Sequence, residues 1–213
     1  MSFASGDYTS HSVRGYVQAG GGSTRFGKDK ALVELGGKTM LARTVDLVSF
    51  LCGNVRIIAT SGKYPDAPAE VLADGWPGQG PLGGILTALL HTGETLPQAE
   101  WNLIISCDMP FLTQDWLGFL CERAVQSKAQ VVVPESAIGL EPLCACWRTE
   151  AAAEIQSAFE SGVRKVTQAM KLLRMEVLDE TLWKRFDTNG HLFWNMNTPE
   201  DFEEARRIIE DRP

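Results

Sequence analysis

Apolar and polar positions change rhythm several times along this chain, and the changes predict its elements. Val13 to Ala19 reads as a strand and empties into a glycine-rich stretch. Thr39 precedes Leu41, Val45, Val48 and Leu51 at helical spacing, which makes it the N-cap of an amphipathic helix. Strands are predicted at Val55–Thr60 and Val71–Ala73, a helix at Leu82–His91, and a buried strand at Trp101–Ser106 that runs into CDMPF. Thr113 caps a helix predicted over Gln114–Ser127, and QVVVP (Gln130–Pro134) is the next strand. Leu143–Trp147 then reads as a strand, and Thr149–Phe159 and Lys165–Leu173 as helices. In NTPEDFEEARRII, Thr198 caps a last helix, Pro199 takes its first position and Asp201 its third, where an acid suits the N-terminus. Strands alternating with helices predict an α/β protein: a mostly parallel central sheet covered on both faces, three layers in all. Residues 1–12 read as a disordered polar tail and 13–213 as a single domain.

Charge sharpens the glycine-rich stretch. The chain carries a net charge of −7, which argues against a nucleic-acid partner. Yet Arg25, Lys28, Lys30 and Lys38 cluster against only Asp29 and Glu34, a local positive patch suited to a small anion. No apolar run approaches the ~18 residues that cross a bilayer, so no membrane partner is expected. The polar start lacks a signal-peptide pattern, and the five cysteines form no CxxC pair, which fits reduced thiols in the cytoplasm. Cys144 and Cys146 alternate on a strand and read as small buried residues facing one side, in preference to metal ligands.

AGGGSTRFGKDKA (Ala19–Ala31) nearly spells two known phosphate loops and completes neither. A dinucleotide loop would have glycine where Arg25 stands. A P-loop would have Ser or Thr at Asp29 and a helix directly after Lys28, but Ala31–Leu35 runs into Gly36–Gly37. A third arrangement fits: backbone N–H groups of the loop approach phosphate oxygens, while Arg25 and Lys30 neutralise charge on a departing pyrophosphate. Asp29 then orients either a neighbouring lysine or the loop backbone. Asp108 ends a strong apolar strand, where open α/β sheets bind ligands. It reads equally as a Mg²⁺ ligand or as the aspartate opening a turn before Pro110. Asn197 reads as a second ligand or as a residue satisfying its own turn. The three histidines are scattered and no GxSxG occurs, so no nucleophile–base constellation is present. A phosphate already ionised at neutral pH needs no such base, which suits phosphate attacking phosphate.

Taken together, AGGGSTRFGKDKA, GPLGG (Gly80–Gly84), CDMPF and NMNTPEDF resemble, in order and spacing, the molybdenum cofactor guanylyltransferases, over roughly Val13–Arg207. EPLCACW (Glu141–Trp147) and SGVRKVTQAM (Ser161–Met170) look like that family's segments near the pterin side. The resemblance implies a Rossmann-like nucleotidyltransferase fold, with GTP and molybdopterin as substrates, Mg²⁺ as cofactor, and other cofactor-biosynthesis proteins as candidate partners. It implies that GMP joins the terminal phosphate of molybdopterin and that pyrophosphate leaves. By motif, Gln18, Ala19, Gly20 and Gly21 fall on the nucleotide, with backbone contacts from the first three. Lys30 falls on the phosphates, Arg25 on the pyrophosphate, Asp74 in the nucleotide pocket just before the GPLGG segment that lines the base, Asp108 on the metal and Asn197 beside it. Two positions depart from the family: Gln18 stands for a leucine, and IATSG (Ile58–Gly62) for a segment containing asparagine. A nucleotide contact there falls to Thr60 or Ser61, or is absent. The competing readings are a cytidylyltransferase using CTP, and a non-catalytic nucleotide- or pterin-binding regulator on the same fold.

Overall fold

A computed structural model describes residues 12–20 and 29–210. In chain order they form β1 (Val13–Gln18), a 3-10 turn (Lys30–Leu32), a small hairpin of β2 (Glu34–Leu35) and β3 (Lys38–Thr39), α1 (Met40–Cys52), β4 (Val55–Ala59) and β5 (Glu70–Ala73). Then come α2 (Pro81–Thr95), β6 (Trp101–Ser106), α3 (Gln114–Gln126), β7 (Val131–Ser136), β8 (Gly139–Leu140) and β9 (Cys144–Arg148). The chain continues with α4 (Ala152–Glu160), α5 (Val166–Met170), β10 (Met175–Leu178), α6 (Glu180–Trp183) and α7 (Pro199–Glu210). The tail expected over residues 1–12 lies outside the described residues except for Ser12, whose carbonyl accepts from the Trp101 N–H at 3.1 Å.

One continuous sheet runs β10-β7-β9-β6-β1-β4-β5, with β8 added to β7. Along that path every neighbour is parallel except β9, which is antiparallel to both β6 and β7. β1 lies inside the sheet and is buried at all six positions, Arg14 and Gln18 included. Its alternate side chains feed two cores. Val13 and Val17 join α1 and α3 on one face, and Tyr16 joins α2, α4 and α5 on the other. Cys144 and Cys146 face the first core and Ala145 and Trp147 the second, so the two cysteines share a side as expected. All five thiols are free and buried.

Capping explains where the helices start. Thr39 Oγ1 accepts from the Ala42 N–H at 3.1 Å, and Thr113 Oγ1 from the Trp116 N–H at 3.3 Å. At α7 the two caps are reciprocal. Thr198 Oγ1 accepts from the Asp201 N–H at 3.1 Å, while Asp201 Oδ2 accepts from the N–H groups of Asn197 (2.7 Å) and Thr198 (2.8 Å). Burial alone would raise the Asp201 pKa, but those backbone donors outweigh it and hold the carboxyl below its usual value. α7 docks through Ala205 onto a third core of Leu35, Met40, Phe111 and Met196, which joins the chain end to the β2–β3 hairpin.

Some elements differ from the sequence expectation. The helix expected from Thr149 starts as a 3-10 turn over Thr149–Ala151, and that expected over Lys165–Leu173 is regular only at Val166–Met170. Short elements with too few residues to show a period (β2, β3, β8, β10 and α6) are additions. Gly15 shows how tightly the layers meet, because α1 passes directly over it. A Cβ there would lie 2.6 Å from Val48 Cγ1 and 3.1 Å from Cys52 Cβ. Gly15→Ala is therefore expected to destabilise the fold by about 1–3 kcal/mol through overpacking. Adding Val48→Ala is expected to recover part of that loss in urea denaturation.

Candidate nucleotide and metal site

The strand order reverses at β1. From β1 the chain builds β4 and β5 on one side, then crosses to β6 on the other. A crevice therefore opens beyond the carboxyl ends of β1 and β6, where open α/β sheets take their ligands. Gln18 pairs with Ser106 at that edge, and the Cys107 N–H reaches the Gln18 carbonyl at 3.4 Å. Ala19 is buried and donates its N–H to the Ile58 carbonyl at 2.9 Å; Gly20, at φ 137°, turns the chain away from the sheet. Gly21, Arg25 and Lys28 lie outside the described residues.

The chain is anchored again at Asp29. Its carboxylate accepts from the Ala31 N–H at 3.1 Å and from Lys63 Nζ at 2.9 Å, and the Tyr64 hydroxyl donates to it from 2.9 and 3.1 Å. Burial pushes the Asp29 pKa up, but Lys63, Tyr64 and the Ala31 N–H outweigh it and leave the carboxyl below its ordinary 3.8. Burial and the neighbouring Asp29 charge push the Tyr64 hydroxyl up, so it remains a donor. Of the two expectations the loop backbone is met, through the Ala31 N–H, whereas the lysine that Asp29 holds is no sequence neighbour but Lys63, from the segment after β4. Lys63 and Tyr64 were not singled out in the sequence, since nothing local couples GKYP to a loop more than thirty residues earlier.

That anchor presents Lys30 to the crevice. Lys30 Nζ donates to Asn197 Oδ1 at 2.8 Å, and the N–H of the adjacent Met196 bonds the Asp108 carbonyl at 2.8 Å. Lys30, Asp108 and Asn197, widely separated in sequence, are thus drawn to one edge. Asp108 Oδ1 is buried with no hydrogen-bond partner among the described residues, an arrangement that a cation would satisfy. Asn197, expected as a second ligand, already has its oxygen on Lys30. No group of three or more His, Cys, Asp or Glu residues gathers for a metal among the described residues. Cys107, beside Asp108, is no nucleophile: burial first, then the charges of Asp108 and Asp29, push its thiol up to about 12.

Glu141 lies behind this edge and was quoted in EPLCACW without a role. It is buried, takes the Ser136 hydroxyl at 2.7 Å, and is raised by burial and by the Asp108 charge against hydrogen bonds from Ser136 and Asn195. Gln18 turns its side chain towards α2, donating to the Pro81 carbonyl at 3.3 Å, while its Oε1 is buried without a partner. Gly84 makes room for it: a Cβ there would lie 2.3 Å from Gln18 Nε2. Asp74 follows β5, two strands from β1, and is occupied with its own turn. Its Oδ1 accepts from the Trp76 N–H at 2.9 Å and lies 3.3 Å from Thr87 Oγ1. Thr60 and Ser61 are exposed at the end of β4.

The sequence pattern of the MobA-like NTP transferase domain matches residues 15–175. The chain belongs to this family. It is similar to the molybdenum cofactor guanylyltransferase of Desulfosudis oleivorans, 33% identical over 92% of this chain and 96% of that protein. The molybdenum cofactor guanylyltransferase of Rhodopseudomonas palustris is 32% identical over 90% of this chain and 91% of the relative. Among solved structures, molybdopterin-guanine dinucleotide biosynthesis protein A from Archaeoglobus fulgidus superposes with a TM-score of 0.79 at 25% identity, covering 93% of this chain and all of that one. No helix among the described residues is long and apolar enough to cross a membrane.

Asp29 provides a test of this MobA-like site. Asp29→Asn is expected to lower stability at pH 7 by about 1 kcal/mol, because Lys63 loses its countercharge in a partly solvated place. A depressed folded pKa contributes stability above the unfolded pKa that is lost as pH falls through the folded one. The gap between wild type and variant in chemical denaturation is therefore expected to hold down to the ordinary 3.8 and to close below it.

Proposed function

We propose that this chain transfers GMP from GTP to the terminal phosphate of molybdopterin, in the cytoplasm, with Mg²⁺. The observation that carries the chemistry is the unpartnered, buried Asp108 oxygen at the edge where Lys30 and Asn197 converge. Asp108 is the residue that would hold the metal. When bound, the ion would neutralise charge on the triphosphate. Backbone groups of Gln18 to Gly21 bind the nucleotide, and Lys30 holds its phosphates. Arg25 neutralises the departing pyrophosphate, and Asp74 braces the turn leading to the GPLGG segment. A terminal phosphate oxygen of molybdopterin forms a bond to the α-phosphorus of GTP as the α–β phosphoanhydride bond breaks, and pyrophosphate leaves. The attacking oxygen is already ionised at neutral pH, so no general base is required.

The named relatives are guanylyltransferases, which favours GTP over CTP. A non-catalytic regulator would have no use for the full set of Lys30, Asp108 and Arg25. Asp108→Ala is expected to stay folded and to lose pyrophosphate release from GTP, Mg²⁺ and molybdopterin by at least about 100-fold. Lys30→Glu is expected to fail equally, whereas Lys28→Glu retains most turnover. Wild type releasing no pyrophosphate under these conditions would sink the catalytic reading. In a thermal-shift comparison, GTP with Mg²⁺ is expected to stabilise the chain by about 2.7 kcal/mol at a hundredfold excess over its dissociation constant. A larger shift with CTP would reverse the base assignment.

A further inference from the structure

The turn between β5 and α2 is held from outside by the segment that follows α4. Trp76 packs on Phe159, ring centroids 5.5 Å apart at 56°. The Arg164 guanidinium covers the Phe159 ring, 3.9 Å from its centroid, and Arg164 Nε donates to Gln79 Oε1 at 2.8 Å. Arg164 is itself fixed, since its Nη1 donates to the carbonyls of Phe159 (2.6 Å) and Val163 (2.9 Å). A guanidinium only donates, so the Gln79 side chain has to offer its oxygen here. The turn is pinned at its start by the Asp74–Trp76 bond and at its end by Gln79, directly before the Gly80 that opens α2.

From this arrangement we infer that Arg164 is a positioning residue for the nucleotide. Through Gln79 and Phe159 it holds the turn at residues 75–80, and so sets the GPLGG segment against the base without touching the reacting phosphates. This rests on the guanylyl-transfer reading of the site. It assigns Arg164 to nucleotide affinity although its segment, SGVRKV, resembles one near the pterin side.

The test uses the full chain and the variants Gln79→Ala, Arg164→Ala, Arg164→Lys and the double Gln79→Ala/Arg164→Ala. Arg164→Ala is expected to raise KM for GTP about fivefold, the order of one exposed charged hydrogen bond with a cation–π contact, and Gln79→Ala, which leaves the Phe159 contact in place, about two- to threefold, each with kcat within about twofold. The double variant is expected to match Arg164→Ala, because Gln79 acts only through Arg164. Arg164→Lys keeps a donor and a charge and is expected to recover part of the loss. In ligand-free protein, amide exchange of residues 75–80 is expected to quicken in Arg164→Ala while that of residues 29–35 stays unchanged. A rise in the KM for molybdopterin with KM for GTP unchanged, additive losses in the double variant, or unaltered exchange at 75–80 would each overturn the assignment. The exchange arm needs no nucleotide, so it separates failure of this link from failure of the guanylyl-transfer reading.

Discussion

The site depends on one strand pairing. β1 and β6 run parallel through six paired positions, from Val13 against Trp101 to Gln18 against Ser106, and both finish at the same edge. Both are buried over nearly their whole length, so a slip in register would expose or misplace core side chains on two faces. That constraint puts Ala19 and Gly20, directly after β1, at the same edge as the aspartate two residues after β6, before any polar side chain has made a bond. The remaining parts of the site are attached to this edge: Asp29 by Lys63 and Tyr64, Asn197 by Lys30, and the chain after β10 by the Met196–Asp108 bond.

What was legible in the sequence follows from how local each signal is. The strands of the parallel core, the Thr39, Thr113 and Thr198 caps and the position of Asp108 all come from runs of six to fourteen residues, and the structure places them where those runs put them. The reversed direction of β9 was not legible. CACWR alternates between two buried faces in the same way whichever direction it runs, and only its pairing partners on both sides reveal the reversal. The short β2–β3 hairpin was equally silent, although it supplies Leu35 to the core that receives α7.

The site shows the same division between local and distant information. The motifs named Lys30, Asp108 and Asn197, and the structure brings these three to one edge. The motifs could not reveal that Asn197 meets Lys30 through the very oxygen a metal would use, because that bond joins residues at opposite ends of the chain. Gln18, the residue out of place in the pattern, turns towards α2 and fills the space left by Gly84. A glycine in a helix interior has weak meaning in sequence, and here its partner across the layer supplies the reason.

An acid in a phosphate loop looks like an electrostatic error, and the way it is accommodated explains the arrangement around it. Were Asp29 unpaired, its charge would oppose any triphosphate brought to Lys30, next to it in the chain. Instead Lys63 and the Tyr64 hydroxyl engage the carboxylate from behind, so its charge is countered within the protein. Lys30 is treated in the opposite way. Its partner is the neutral amide of Asn197, which fixes the direction of the ammonium and leaves its full positive charge for an anion. A carboxylate at 197 would aim Lys30 as well but would cancel the charge that makes it useful. One residue of the Asp29–Lys30 pair is therefore held by ionic contacts and the other by a neutral hydrogen bond, so of the two it is the lysine whose charge is not met by a directly paired side chain among the described residues.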